Sequence, residues 1–283
     1  MSRIVYVNGE YVDEVDAKIS IFDRGFLFAD GVYEVSTVIN GRLIDNDIHL
    51  NRLQRSLSEI QLVIPNSLSQ IEVIQQQLID RNQLVEGIVY LQVTRGAADR
   101  DFKFPDNPVP SLVMFTQQKN VLSNPVADKG IHVMSVDDIR WARRDIKTVG
   151  LLAPSMAKQK ALDEGADDAW MVEDGFVTEG SSSNAFIVTQ EGTIVTRNLG
   201  NAILAGITRS VVLSLATDKG IEVEERPFSI TEAYNAAEAF STSASSFVYP
   251  VVKIDGTWIA DGKPGAVALE LRRLYIEAAT AED

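Results

Sequence analysis

The sequence predicts a two-domain protein of the α/β or α+β class, and three observations support this. First, the chain has 283 residues, which at about 150 residues per domain corresponds to roughly two domains. Second, segments with strand-like alternation and helix-like spacing interleave in both halves. Third, a polar stretch with proline and glycine but no periodicity separates the halves. We therefore expect a smaller N-terminal domain over 1–118, an interdomain linker over 119–130 and a larger C-terminal domain over 131–283.

The first half is predicted to begin with strands over IVYVN, GEYV and VYEVSTVI. Alternation in the third strand puts four side chains on one face: Tyr33, Val35, Thr37 and Ile39. The dipeptide Asn40-Gly41 is typical of a hairpin turn. Helical spacing predicts one helix from about Asp47 and a second that Ser67 opens. Two further strands, GIVYLQVT and SLVMF, flank a long polar loop, which is typical of a functional segment.

The second half repeats this mixture of elements. We predict a strand over IHVMSV, a helix over about 149–164, and then a series of strands at AWMV, NAFIV and TIVT. A helix from Thr208 follows, and then strands IEVEER, AEAFST and FVYPVVKI and a closing helix over VALELRRLYIEAA.

Composition excludes several classes of function. The chain has no cysteine, which excludes disulfides, thiolate metal sites and a cysteine nucleophile. Its two histidines, His49 and His132, lie far apart, so neither a metal centre nor a Ser-His-Asp triad is expected. The net charge of −14 argues against nucleic acid as a partner. With no signal peptide or membrane span recognisable in the sequence, we expect a cytoplasmic protein.

Three segments carry residues suited to chemistry, and each also has a structural interpretation. Lys147 precedes an apolar helical pattern, although a lysine beside two arginines is usually a solvated charge. Glu179 stands before three serines that could line a pocket or form a polar turn. Thr208 could be a helix N-cap, while the amides of Gly206-Ile207-Thr208 could bind an anion. The glycine motifs of nucleotide-binding folds are absent from the sequence.

Five segments together resemble one family in their order and spacing: DRGFLFADGVYEV, HLNRL, RRDIKTVGLLAPSMAKQKA, VTEGSSSNAF and AGITR. They are similar to segments of class IV pyridoxal-phosphate-dependent aminotransferases, whose fold is fold type IV, and most similar to D-amino acid aminotransferases. The resemblance spans about residues 3–275. It implies transfer of an amino group from a D-amino acid, of the D-alanine or D-glutamate type, to a 2-keto acid.

The resemblance also implies roles for residues around the cofactor. Lys147 would hold pyridoxal phosphate as a Schiff base, and Glu179 would face its pyridine nitrogen. Tyr33 would lie over the ring near Lys147. The phosphate-binding residues would be Arg52, Ile207, Thr208, Ser243 and Ala244. The family's D-amino acid enzymes have a hydroxyl where this chain has Ala244, so we expect only a backbone contact there.

These residue types suit amino-group transfer, which requires a carbanion at the substrate's α-carbon that the cofactor stabilises. A carboxylate such as Glu179 keeps the ring nitrogen protonated. Lysine serves as the amine that binds the cofactor and then as the base that moves a proton. An arginine and free amides at a helix start match a dianionic phosphate.

The substrate side is expected to involve Tyr33, Arg100, Phe102, Ser181 and Ser182. The family's D-amino acid enzymes carry an Arg-x-His trap for the substrate carboxylate, and this chain has Arg100-Asp101-Phe102. Arginine can bind a carboxylate without the histidine. However, Asp101 could pair with Arg100 and compete with the substrate, so we expect modest affinity and some tolerance of R-amines.

Several alternatives stay open at this point. Branched-chain L-amino acid aminotransferases, R-selective amine aminotransferases and aminodeoxychorismate lyases share the superfamily, and a non-catalytic binding protein or scaffold is a different class. Joint presence of Lys147 and Glu179 argues against that last class. The resemblance suggests a homodimer in which the loop at 96–110 reaches the partner's active site.

Overall fold

The computed structural model describes residues 2–281, and the predicted mixture of helices and strands is confirmed. The chain divides into two compact units. The first unit comprises Met1–Asn120 and Ile146–Gly150, and the second comprises Val121–Asp145 and Leu151–Asp283. The outermost predicted domain ends, residues 1 and 283, lie outside the described residues.

A six-stranded antiparallel sheet forms the framework of the first unit. Its strands are β1 Ile4–Val7, β2 Glu10–Asp13, β3 Gly31–Ile39, β4 Arg42–Ile44, β5 Glu86–Thr94 and β6 Ser111–Gln118. They lie in the order β2-β1-β6-β5-β3-β4. Three helices accompany the sheet: α1 Arg24–Phe28, α2 Asn46–Glu59 and α3 Leu68–Asn82.

Local sequence explains this unit well. The predicted Asn40-Gly41 hairpin is confirmed, since both residues adopt positive φ (51° and 74°) and join β3 to β4. Ser67 caps α3 through a reciprocal capping box with Gln70. Leucines on the inner face of α2, Leu50, Leu53 and Leu57, pack into the buried core.

Lys147 lies in a short segment, Ile146–Gly150, which belongs to the first unit and which we call the strap. The Tyr33 amide donates to the Lys147 carbonyl (3.0 Å), and the Val149 amide donates to the Gly31 carbonyl (3.1 Å). The strap therefore forms a ladder with the start of β3. Because Val149 takes part in this ladder, the following helix begins at Leu152 instead of the predicted 149.

The second unit contains a nine-stranded mixed sheet. Its strands are β7 Ile131–Asp137, β8 Asp168–Glu173, β9 Phe176–Gly180, β10 Asn184–Val188, β11 Ile194–Thr196, β12 Val223–Glu225, β13 Glu238–Ser243, β14 Phe247–Ile254 and β15 Thr257–Trp258. The order is β12-β11-β10-β13-β14-β7-β8-β9, with β15 on β14. Its helices are α4 Pro125–Lys129, α5 Leu152–Asp163, α6 Ile207–Asp218, α7 Ile230–Tyr234 and α8 Ala266–Thr280.

Three features of the second unit differ from expectation. Strand β9 was not predicted, and Glu179 lies on it instead of in a polar turn. The N-cap of α6 is Gly206, so the interpretation of Thr208 as the cap is wrong. Part of the predicted linker packs against α8, where the Arg272 guanidinium donates to the carbonyls of Val121 and Leu122. Among the described residues, none of the helices is both long enough and apolar enough to cross a membrane.

Candidate active site

The Lys147 side chain lies over the ring of Tyr33, with its amine nitrogen 4.3 Å from the ring centroid. Tyr33 in turn stacks on Tyr90, at a centroid distance of 5.6 Å. The strap and β3 thus bring together two of the residues predicted for catalysis. An ammonium over an aromatic face is held by the ring's quadrupole, which orients the Lys147 amine.

On the opposite face of β3, Glu34 forms a buried charged cluster with two residues of α2. The Arg52 guanidinium donates from Nε to Glu34 Oε1 and from Nη2 to Oε2, both at 2.8 Å. His49 Nδ1 lies 2.8 Å from Glu34 Oε2. Two parallel hydrogen bonds from one guanidinium fix its plane. Glu34 therefore orients Arg52, the residue predicted to bind phosphate.

The pKa of Glu34 is lowered from 4.5 to about 2. Burial, the largest single influence, opposes ionisation and would raise the pKa. The charge and hydrogen bonds of Arg52, the hydrogen bond with His49 and the charge of Lys147 outweigh it. Glu34 is consequently a carboxylate at all physiological pH values.

Glu179, on β9 of the second unit, is 5% exposed and is held from two sides. Arg140 Nη1 donates to its Oε1. Its Oε2 accepts from Asn184 Nδ2 and from the Leu204 amide, each at 3.1 Å. A guanidinium and two amide donors thus hold this buried carboxylate in one orientation.

Arg140 is itself held by Asp138. Its Nη2 and Nε donate to the two Asp138 oxygens at 2.6 and 2.9 Å, and Thr178 Oγ1 donates to Asp138 at 2.7 Å. Burial raises the pKa of Asp138, but these contacts with Arg140 and Thr178 lower it overall. Arg144 Nη1 lies 3.6 Å from Asp138 Oδ2, and Arg144 also pairs with Glu173.

This connected set of the second unit contains three carboxylates, Asp138, Glu173 and Glu179, and two guanidiniums, Arg140 and Arg144. The charge of Arg197 also acts on Glu173, so a third guanidinium faces this set. Buried charge is costly unless it is compensated. Arg140, which is shared between Asp138 and Glu179, fixes the Glu179 carboxylate in one place, as a contact with a donor group of a ligand requires.

The start of α6 offers features suited to an anion. No side chain caps the helix, and a Cβ on Gly206 would come within 2.0 Å of Asn184 Oδ1. Ile207 and Thr208 are buried in the first turn. Amides at a helix start that no side chain caps attract negative charge. The hydroxyl of Ser243 is paired with that of Ser246 at 2.7 Å.

The serine segment after β9 separates into distinct environments. The Ser181 hydroxyl donates to Asp168, whereas Ser182 is exposed. The buried hydroxyls of Ser183 and of Thr242 have no hydrogen-bond partner within residues 2–281. Unsatisfied buried hydroxyls are unusual and point to a ligand or water.

Arg100 and Phe102 lie together in the loop of the first unit. The Arg100 guanidinium carbon is 5.4 Å from the ring centroid of Phe28 and 5.7 Å from that of Phe102. The Asp101 carboxylate accepts from the Lys103 amide (3.3 Å), and no ion pair joins it to Arg100 within residues 2–281.

Sequence reasoning missed the residues that orient the predicted ones. Glu34 follows from the alternation of β3, since it must face away from Tyr33 and towards α2. His49 and Arg52 are three positions apart on α2 and share a helical face. By contrast, the pairing of Arg140 with Glu179 spans 39 positions and leaves no local signal.

Comparison with known proteins gives consistent results. The model of the family "Amino-transferase class IV" matches residues 31–254. A D-alanine aminotransferase of Staphylococcus aureus (strain MSSA476) is 38% identical over 97% of this chain and 98% of its own. One from Listeria monocytogenes serotype 4b (strain F2365) is 37% identical over 96% and 95%. The solved T.th. branched-chain amino acid aminotransferase with pyridoxamine 5'-phosphate has a TM-score of 0.93 and 26% identity, covering 99% of this chain and 95% of that one.

The fold and the two buried charged clusters therefore fit an aminotransferase. The chain belongs to the class IV aminotransferase family. The family predicted from the five sequence segments is confirmed, and so is the fold class.

Proposed function

We propose that this chain is a pyridoxal-phosphate-dependent transaminase that moves an amino group from a D-amino acid, of the D-alanine or D-glutamate type, to a 2-keto acid. The observation that carries the proposal is Glu179, a buried carboxylate that Arg140, Asn184 and the Leu204 amide hold in one orientation. Such a group is suited to a protonated ring nitrogen. The relatives named D-alanine aminotransferase support the choice of donor.

The donor groups fit this cofactor. In the first unit, Lys147 would hold it covalently and the oriented Arg52 would bind its phosphate. In the second unit, Glu179 would hold the pyridine nitrogen, and the phosphate would meet Ile207, Thr208, Ser243 and the backbone of Ala244. The uncapped start of α6 and the unpaired Thr242 hydroxyl support the second set. When bound, the cofactor supplies an electron sink for the α-carbanion.

The chain's own residues would perform the remaining work. The Lys147 amine, oriented over Tyr33, would act as the base that removes the proton from the substrate α-carbon. It would then act as the acid that gives this proton back. Glu179 would pair with the protonated ring nitrogen, and Arg140 with the two amide donors holds that carboxylate in place. Histidine is not needed for any of these steps.

For the substrate, Arg100 would bind the α-carboxylate, with Tyr33 as a second donor and Phe102, Ser181 and Ser182 nearby. A second candidate follows from Phe102, which replaces the family's histidine: R-amines without a carboxylate would also react. Branched-chain L-amino acids and aminodeoxychorismate are the further alternatives within the same fold, and the solved T.th. neighbour is a branched-chain enzyme.

We also propose a homodimer. Large apolar side chains of the first unit are exposed around α1 and the loop at 96–110: Ile21 69%, Phe22 52%, Phe26 75%, Phe102 79% and Val109 80%. Apolar patches of this kind mark interaction surfaces. A second copy of this chain is the occupant that the resemblance favours. The cytoplasmic location stays a prediction of the sequence.

A substrate panel tests the function. Purified protein loaded with pyridoxal phosphate is incubated with D-amino acids, L-amino acids and R-amines, each with a 2-keto acid, and turnover is measured. We expect D-alanine or D-glutamate to give the highest kcat/KM. Faster turnover of L-leucine than of any D-amino acid would assign the chain to the branched-chain group.

A further inference from the structure

A buried ionic cluster anchors the loop that carries Arg100. Arg95, 2% exposed, donates from Nε and Nη2 to the two oxygens of Asp30, at 2.8 and 3.0 Å. Its Nη2 also donates to the Ile60 carbonyl at 2.7 Å. Phe104, in the loop, places its ring 3.6 Å from the Arg95 guanidinium carbon. One end of the loop is therefore fixed by a cation–π contact with a buried arginine.

Arg24 extends this anchor to the backbone beside Arg100. Its Nε donates to Asp30 Oδ2 at 2.7 Å, and its Nη1 donates to the Asp101 carbonyl at 2.6 Å. Arg24 is 3% exposed. The residue directly after Arg100 is thus held by a charged hydrogen bond from a buried donor.

The Phe28 ring connects the anchor to Arg100. Its centroid lies 4.5 Å from the Arg24 guanidinium carbon and 5.4 Å from that of Arg100. Phe102 contacts both, at 5.6 Å from the Phe28 ring and 5.7 Å from Arg100. Over residues 2–281, Arg100 has no ion pair or hydrogen bond, and these two rings are its neighbours.

We propose that Phe102 is a positioning residue for substrate binding: with Phe28 it orients the Arg100 guanidinium through its π face. The inference rests on the proposed function, in which Arg100 binds the α-carboxylate. Aromatic rings accept no in-plane hydrogen bond from a guanidinium. All five N–H groups of Arg100 are then available to a substrate carboxylate. A histidine or aspartate partner would occupy some of these N–H groups.

The alternative is that Phe102 is merely part of the exposed apolar patch. The two ideas differ in what they predict for charged and neutral ligands. A positioning role acts only on ligands with a carboxylate. A role in the patch affects carboxylate and neutral ligands equally, through stability or assembly.

The test compares Phe102→Leu, which removes the ring, with Phe102→Tyr, which keeps it. Phe26→Leu is the matched control, since it removes an equally exposed ring from the same patch. For each holoenzyme we would measure KM and kcat with D-alanine and with an R-amine such as (R)-1-phenylethylamine. The inhibition constants of propanoate and of uncharged propanamide provide a readout that does not depend on turnover.

We expect Phe102→Leu to raise the KM for D-alanine and the inhibition constant of propanoate about two- to fivefold. The kcat, the R-amine KM and the propanamide constant should stay within about twofold, and Phe102→Tyr should restore propanoate binding. Equal shifts for both ligand types, or the same shifts in Phe26→Leu, would overturn the positioning role.

Arg100→Ala separates this inference from the proposed function. A large loss confined to D-amino acids and propanoate supports Arg100 as the carboxylate group. If that loss occurs while Phe102→Leu has no selective effect, only the positioning role fails. If Arg100→Ala has no selective effect, the proposed substrate contact itself is wrong.

Discussion

The two units each contain a buried charged cluster, but the residue predicted to touch the cofactor is a cation in the first, Arg52, and an anion in the second, Glu179. In the first unit, the Glu34 carboxylate pairs with Arg52 and also interacts electrostatically with Lys147. Two cations therefore surround one carboxylate. In the second unit, Arg140 donates to the Glu179 carboxylate, and Asp138 holds Arg140 in turn. The two clusters are suited to ligand groups of opposite sign.

Under the proposed function, this difference matches the opposite charges of two groups of the cofactor. A phosphate suits the cationic cluster and a protonated pyridine suits the anionic one. In each cluster the residue predicted to touch the cofactor is oriented by a second charge, Glu34 for Arg52 and Arg140 for Glu179. Preorganised charges of this kind require no rearrangement when the ligand binds.

The most severe change to the first unit is Lys147→Ala, which removes both the covalent attachment and the base. We expect turnover to fall by more than about 10⁴-fold, while the fold survives because the strap binds β3 through backbone atoms. Borohydride reduction of the wild type followed by peptide mapping should label Lys147. A label on Lys158 or Lys160 would contradict the assignment, and Lys158→Ala is the matched control.

Glu179→Gln tests the anionic cluster in the same way. The amide retains the shape but cannot hold a proton on the ring nitrogen by charge, so kcat should fall about 10²–10⁴-fold with the cofactor still bound. Absorbance of the bound cofactor and steady-state kinetics measure the two effects separately. Glu173→Gln, at the outer and more exposed end of the same cluster, should cost less than about tenfold, and equal losses in both variants would refute the assignment.

The dependence of stability on acidic pH tests the charged cluster of the first unit through Glu34. Its pKa is about 2 in the folded protein, below the ordinary 4.5, so it stabilises the fold above pH 4.5, and this contribution is lost as the pH falls from 4.5 to 2. Across that window Glu34 should account for about 3 kcal/mol of the free energy of unfolding. Urea denaturation should show that Glu34→Gln removes this part of the pH dependence, whereas Glu72→Gln, an exposed change on α3, should leave it in place.

The smallest expected effect belongs to Arg52→Ala. Loss of the cation oriented by Glu34 should weaken cofactor binding about 10- to 100-fold, because the amides at the start of α6 would still bind the phosphate. Equilibrium dialysis of pyridoxal phosphate measures this. Arg55→Ala, on an exposed position of the same helix, is the control, and unchanged affinity in Arg52→Ala would remove Arg52 from the phosphate site.

Much of the first unit could be predicted because its signals are local. Alternation placed Tyr33 on one face of β3, and Asn40-Gly41 and Ser67 have the turn and cap chemistry that the structure contains. By contrast, β9 was missed because four of its five residues are buried, which leaves no alternation to detect. Glu179 consequently looked like a residue of a polar turn.

The charged networks could not be predicted for a different physical reason. Arg140 and Asp138 are close in sequence and look like solvated surface charges, yet both side chains are largely buried. They are buried because β9 folds back and pairs with β8. This is a tertiary contact, which local sequence does not reveal. Lys147 and Glu179 were located through the order of five segments, since neither residue type is informative on its own.

The strap limits how the coding regions of the two units can be exchanged by recombination. The backbone leaves the first unit after Asn120, returns for Ile146–Gly150 and leaves again. A recombination event that exchanged the coding region after residue 120 as one block would therefore also exchange the lysine that pairs with β3. The two units can diverge in sequence, but gene shuffling cannot pass them on as separate modules.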